Sequence, residues 1–438
     1  MNNKQARGKQ KLLKNTRLLI AAIGIIVKIL TVAGCGLDSS KGKPETPKPE
    51  TASSPQIPIA IVSPSANDSS NQDSEVRIES ELLDESWIAY RDQFIQADGR
   101  VIDREAGDRS TSEAQAYAML RAVLIDDPIT FVKVLEWGER NLGRKVALNH
   151  TDQLWAWNWG KDNQGNWGIL DANFASDADI DAIAALILAG RRWNRPEYMD
   201  LARSKLKDLW QVSTVKIPDG NRYLLPGPKS AFQPKPSTIQ LNPSYLATYA
   251  FRIFAQVDPD HDWLSLVDSS YQVLEFSAEL SAVGLPSDWV VLDIKTGQFK
   301  PLLGSSRLKS QYGFDAYRVW WRVFLDVAWF DSPQGKIFLE QHLSYLIELW
   351  QTQQRIPAEI DLLGKPLVDY EATSQYAMLY AALSLIEPKV AQEILEQKLM
   401  PQYENGFWDH ESAYYSQNIV WLGLLPPTII ESRLLQPQ

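Results

Sequence analysis

The chain has 438 residues, 45% hydrophobic and 22% charged, enough to bury at least one large core. A formal net charge of −10 argues against an extended phosphate-binding surface, so no nucleic-acid partner is expected. One cysteine excludes an intrachain disulfide, and four scattered histidines without an HExxH or paired-His spacing argue against a zinc site, so neither metal nor cofactor is expected.

The N-terminus is basic, with Lys4, Arg7, Lys9, Lys11, Lys14 and Arg17, and is followed by the apolar run 18–27. Lys28 interrupts that run before Ile29-Leu30-Thr31-Val32-Ala33-Gly34-Cys35. Small residues before a cysteine resemble a bacterial lipoprotein signal, in which Cys35 is lipidated and becomes the mature N-terminus. An uncleaved membrane anchor over residues 1–35 is the alternative. Either arrangement tethers the remainder to a membrane outside the cytoplasm. Residues 36–76 hold Pro44, Pro47, Pro49, Pro55, Pro58 and Pro64 among Ser, Thr and Lys, and are expected to form an extended, disordered spacer.

Residues 77–438 read as one domain whose apolar spacing is mostly helical. The i, i+3, i+4 pattern predicts helices over 81–94, 113–124, 129–141, 177–193, 196–212, 243–254, 262–280, 316–330, 335–353, 374–385, 390–399 and 414–424. Two stretches break it: 289–299 reads as a β-hairpin turning at Gly297, and 222–225 as extended chain. About a dozen helices suit two concentric rings, an (α/α)6 toroid, which is one of several ways to pack them.

Three acidic clusters stand at helix starts among aromatic residues, of which the chain has 16 Trp, 16 Tyr and 13 Phe. Flat amphipathic rings fill cores, and they also pack on the C–H faces of sugars. Glu113 opens an otherwise apolar helix, with Ser112 as the expected N-cap. Asp177 and Asp181 share a helix face that Asp179 does not. A calcium loop fails here, because Ala182 stands where it needs Gly and Leu188 where it needs Glu. Asp315 and Arg318 are i, i+3 neighbours amid Tyr312, Phe314, Tyr317, Trp320 and Trp321, a setting that predicts a cleft lining. An acid in apolar surroundings (Glu113) and a base beside an arginine (Asp315) would have pKa values pushed apart, as inverting glycoside hydrolysis requires.

Together these segments resemble glycoside hydrolase family 8. Residues 112–119 are similar to that family's SEGQGYGM segment, with alanines at 114, 116 and 118 where glycine is usual; their methyls are expected to narrow the cleft floor or alter backbone approach. Residues 175–179 match A-[ST]-D-[AG]-D, and residues 314–322 resemble YDACRVPWR, with Trp320 in place of proline. Leu154-Trp155-Ala156-Trp157, Asn242-Pro243-Ser244-Tyr245, Pro286-Ser287-Asp288-Trp289-Val290 and Tyr414-Tyr415 support the match. The resemblance covers about residues 80–425.

It implies an (α/α)6 barrel with a small β-hairpin insertion, and an inverting, endo-acting hydrolase of β-1,4-linked glycans. Glu113 would be the general acid, Asp315 the general base, and Asp177 the carboxylate gripping the distorted sugar. Arg318 would orient the base, with Trp155, Trp157, Tyr414 and Tyr415 as sugar platforms. An aspartate at 315 favours the cellulase-like branches over the chitosanase branch. The tether suits an enzyme resembling the cellulase that accompanies bacterial cellulose synthesis, with that machinery as a partner. Xylan, mixed-linkage glucan (lichenan) and chitosan remain alternative substrates, and a non-catalytic glucan-binding lipoprotein is the reading from another class.

Overall fold

The apolar periodicity becomes helices of closely matching extent in the computed structural model, which describes residues 81–218, 220–302 and 308–436. Cys35 and the expected signal and spacer lie outside the described residues. Among those residues no helix is long and apolar enough to cross a membrane.

The principal helices, in chain order, are α1 (81–94), α2 (Ser112–Leu124), α3 (Pro128–Asn141), α4 (Ser176–Arg192), α5 (Pro196–Ser213), α6 (Thr248–Ala255) and α7 (Trp263–Glu279). They continue with α8 (Tyr317–Phe330), α9 (Pro333–His342), α10 (Ser344–Gln353), α11 (Thr373–Ile386), α12 (Pro388–Ile394) and α13 (Tyr414–Gly423). Helices α2, α4, α6, α8, α11 and α13 pack side by side in that order as an inner ring. Their sequences explain the placement. Every residue of α4 from Ser176 to Arg191 is buried, and in α2 only Glu113 is not, so neither helix has a face left for solvent. The intervening helices are amphipathic and lie outside; α5 buries Tyr198, Ala202, Leu206 and Leu209 along one stripe. The result is an (α/α)6 barrel.

Arg121 of α2 closes the inner ring. Its guanidinium donates to the Gln417 carbonyl of α13 at 3.2 Å. It lies 4.1 Å from the Tyr90 ring, 5.2 Å from Trp87 and 4.8 Å from Trp421. Three π faces thus compensate a buried cation. Burial pulls its pKa down to about 9.

Two helices differ from the sequence reading. The segment read as 243–254 is a 3-10 turn, Pro243–Tyr245, then a break at Leu246 and Ala247 before α6. The segment read as 335–353 divides into α9 and α10 at Leu343.

The hairpin is present as Val290–Asp293 and Gln298–Pro301, with Gly297 at φ +69° in the turn. Thr238–Leu241 pairs antiparallel with its first strand to make three strands. The extended stretch is Arg222–Leu224, paired with Thr214–Lys216. A further sheet of Ser110–Thr111, Asn158–Lys161 and Trp167–Asp171, and a short pair at Tyr403–Glu404 and Phe407–Trp408, correct the expectation of a single hairpin insertion. The Asn158–Asp171 strands lack alternating apolar residues. They form because Asp162 accepts the backbone N–H groups of Gln164 and Asn166 and tightens the turn between them.

Candidate active site

The N-terminal ends of α2, α4, α8 and α13 meet at a cleft of about 390 Å³ lined by Glu113, Trp157, Asp177, Tyr245, Asp315, Arg318, Tyr414 and Tyr415. A helix N-terminus favours negative charge, so this end of the barrel suits carboxylates. A larger cavity of about 620 Å³ lies at the C-terminal ends of α11 and α13, around Ser384, Lys389 and Leu424, and among the described residues no carboxylate lines it.

Local structure aims each acidic side chain. Thr111, not Ser112, caps α2, its Oγ1 accepting the Ala114 N–H at 3.1 Å. The Thr111 backbone is paired with Asn158, so the first turn of α2 is pinned to the sheet beside Trp157. Helix α4 has no side-chain cap. Its first residue, Ser176, donates its N–H to Pro226 O at 3.0 Å and its hydroxyl to Leu225 O at 2.8 Å. Asp315 sits on the turn entering α8, where the Arg318 N–H donates to its carbonyl at 3.1 Å.

Arg318 is the hub. Its Nη1 donates to Glu113 Oε2 at 2.9 Å, to Asp177 Oδ2 at 3.2 Å and to Tyr117 Oη at 3.3 Å. Its Nη2 donates to Asp315 Oδ1 at 2.6 Å and to Ser244 Oγ at 3.1 Å. The sequence pairs this arginine with Asp315 alone; the fold gives it all three carboxylates. The planar fork serves acceptors in several directions, which a point-charge ammonium cannot do with fixed geometry. Trp289 Nε1 donates to the second oxygen of Asp315 at 3.1 Å.

Exposure separates the three. The side chains of Glu113 and Asp315 are 27% and 32% exposed, whereas that of Asp177 is 3% exposed at the floor. Desolvation in the cleft raises the Glu113 pKa above the ordinary glutamate range, with Arg318 opposing and the Asp315 charge reinforcing the shift. Burial raises Asp177 to about 7, again against Arg318. Glu113 and Asp315 contact different nitrogens of one guanidinium. The gap between them is at most the width of that group plus two hydrogen bonds, a scale compatible with the roughly 6.5–9.5 Å that an acid and a water-activating base require.

The aromatic expectations divide. Trp157 is half-buried and lines the cleft, as do Tyr414 and Tyr415, the latter donating its hydroxyl to Phe314 O at 2.8 Å. Trp155 is not a platform. It is fully buried, its Nε1 donating to Glu139 Oε1 at 2.8 Å and its backbone N–H to Asp179 Oδ1 at 3.0 Å. It anchors the segment that delivers Trp157. Tyr312, Tyr317, Trp320 and Trp321 are likewise core residues, and only Phe314 of that cluster is exposed. The alanines at 114, 116 and 118 are fully buried along α2 and absent from the cleft lining, so their methyls pack the core and do not narrow the floor.

Tyr117, Ser244, Tyr245, Asp288 and Trp289 were not singled out as site residues. Tyr117 carried a signal: it is four residues from Glu113 and therefore shares its helix face. The others lie in segments that support the family resemblance, and only the folded chain brings them to Arg318 and Asp315.

An acid-lined, ring-walled cleft at the mouth of a helical barrel is the site of a polysaccharide-processing enzyme. The profile of glycosyl hydrolases family 8 matches residues 48–425, and the chain belongs to that family. It is 37% identical to an endoglucanase of Xanthomonas axonopodis pv. citri over 278 residues, 63% of this chain and 68% of the relative. An endoglucanase of Salmonella typhi is 28% identical over 340 residues, 77% of this chain and 85% of the other. Among solved structures, an endo-1,4-D-glucanase from Vibrio fischeri superposes with a TM-score of 0.65 at 25% identity, over 77% of this chain and 93% of that one. The protein is a glycoside hydrolase.

Proposed function

We propose that the protein is an endo-acting β-1,4-glucanase that cleaves with inversion, Glu113 serving as general acid and Asp315 as general base. One observation carries this reading: a single guanidinium joins three carboxylates that line one cleft, two of them partly exposed and the third at its floor. Endoglucanase relatives support the substrate class.

In this scheme Glu113, whose pKa desolvation raises, donates its proton to the glycosidic oxygen as the bond to the anomeric carbon lengthens. Asp315, whose oxygens are held by Arg318 and Trp289, removes a proton from a water that attacks the opposite face. Both transfers occur in one displacement, so the product anomer is inverted. Asp177 lies where it can grip a hydroxyl of the sugar distorted towards the oxocarbenium geometry. Trp157 and Tyr415, both partly exposed, would offer ring faces to neighbouring sugars, whereas Tyr414, 5% exposed, only borders the cleft.

We further propose that residues 1–35 tether the enzyme outside the cytoplasm, through lipidated Cys35 or an uncleaved anchor, with residues 36–76 as the spacer. A tether holds a cleft near a membrane, which suits trimming a glucan emerging from cellulose-synthesis machinery better than releasing nutrient sugars. Cys35→Ser should abolish lipid labelling; unchanged labelling refutes lipidation.

The activity is tested by assaying the protein on carboxymethylcellulose, lichenan, xylan and chitosan beside Glu113→Gln and Asp315→Asn. Turnover highest on the β-1,4-glucan and lowered about 10³-fold or more in both variants is expected. Higher turnover on xylan or chitosan would reassign the substrate, and no turnover on any glycan would favour a glucan-binding role.

A further inference from the structure

Two adjacent residues grip the turn that carries Asp315. The Asp288 backbone N–H donates to the Gln311 carbonyl at 2.7 Å, just before the turn. Its Oδ1 accepts the Ala316 N–H at 2.8 Å, just after Asp315. Its Oδ2 faces Gly313 so closely that a Cβ there would lie 2.7 Å from it. Trp289 then donates to the Asp315 carboxylate itself, and its ring stacks on Phe232 at 5.8 Å with an interplanar angle of 6°. Asp288 is 9% exposed, so little solvent competes for these contacts. Burial, reinforced by the neighbouring Asp315 charge, pushes its carboxyl well above the usual range.

We propose that Asp288 is a positioning residue for Asp315: by holding Ala316 and pressing on Gly313 it fixes the turn that keeps the Asp315 carboxylate on Arg318 and Trp289. This rests on the reading of Asp315 as the base. A turn free to move would let that carboxylate leave Arg318, and misplacing a reacting group by about 1 Å costs up to roughly 10²-fold in rate.

The test is kcat and KM on a soluble cello-oligosaccharide for full-length Asp288→Ala, Asp288→Asn, Gly313→Ala and Asp315→Asn. Asp288→Ala removes the acceptor, and Gly313→Ala drives a methyl into it. Both should lower kcat by roughly 10–100-fold while KM stays within about twofold, since the sugar platforms are untouched. Asp288→Asn keeps a carbonyl oxygen for the Ala316 N–H and should restore most of the rate. Wild-type kcat in Asp288→Ala or Gly313→Ala overturns the proposal, as does Asp288→Asn behaving like Asp288→Ala. If Asp288→Ala does not fold, Gly313→Ala decides alone. Asp315→Asn separates the two levels: if it keeps turnover, the base assignment fails and the clamp with it. If it is inactive while Asp288→Ala and Gly313→Ala match wild type, only the clamp fails.

Discussion

Asp177 Oδ2 of α4 lies 3.2 Å from Arg318 Nη1 of α8, and the pairing repeats one turn deeper. There Arg322 meets both oxygens of Asp181, Nη2 donating to Oδ2 at 2.7 Å, and the Tyr249 hydroxyl donates to Oδ1 at 3.1 Å. A spacing of i, i+4 on both helices makes the two rungs face the same way. The lower rung is buried and structural; the upper one opens into the cleft.

Arg318 should therefore be the least replaceable residue in the cleft. Arg318→Ala leaves three carboxylates sharing one poorly hydrated space, and removing one partner of a buried pair costs about 3–5 kcal/mol. Turnover should fall by at least about 10²-fold together with the melting temperature. Arg318→Lys should recover stability in part but not rate, because an ammonium lacks the fork. Full activity in Arg318→Lys would show that charge alone suffices.

The two tryptophans of the Trp155–Trp157 segment should separate cleanly. Trp155→Ala opens a cavity in the core and removes one of the two donors to Glu139, leaving Lys205, so it should destabilise by about 3–5 kcal/mol. Trp157→Ala should leave the melting temperature nearly unchanged and raise KM up to about tenfold, about 1.4 kcal/mol, the scale of a lost ring contact. Thermal melts and steady-state kinetics on both variants check this.

That contrast marks where the sequence stops being legible. The rings were visible as helices because a 3.6-residue apolar period survives whatever packs against it. Acidic residues at helix starts were visible because spacing alone put them there. Burial is a property of the assembled barrel, so Trp155 and Trp157, two residues apart, looked equivalent. The same holds for Trp320 and Trp321, whose flanking charges suggested a cleft wall and whose rings fill the core. The break at Leu246 and the split at Leu343 escaped because apolar periodicity runs through both.

The alkaline limb of kcat/KM should lie above the ordinary glutamate value of about 4.3. Glu113 must be protonated to act, desolvation raises its pKa, and activity is therefore lost as pH rises through that raised value. A limb at or below the ordinary glutamate value would contradict its assignment as the acid.

Asp179 predicts a pH-dependent stability. It accepts the Trp155 N–H, and burial raises its pKa to about 8. A group with a raised folded-state pKa favours folding at low pH, and that contribution fades as pH climbs from about 4 towards the folded value. Asp179→Asn mimics the neutral form, so its melting temperature relative to wild type should rise steadily between pH 5 and 8, on the linkage scale. A constant difference across that range would refute the shift.

The anomer formed first in hydrolysis of a cello-oligosaccharide, followed by proton NMR before mutarotation, tests the acid–base pair across one guanidinium most directly. Single displacement predicts that the α-anomer appears first from the β-linked substrate. Initial release of the β-anomer would require a covalent intermediate and would contradict the roles given to Glu113 and Asp315.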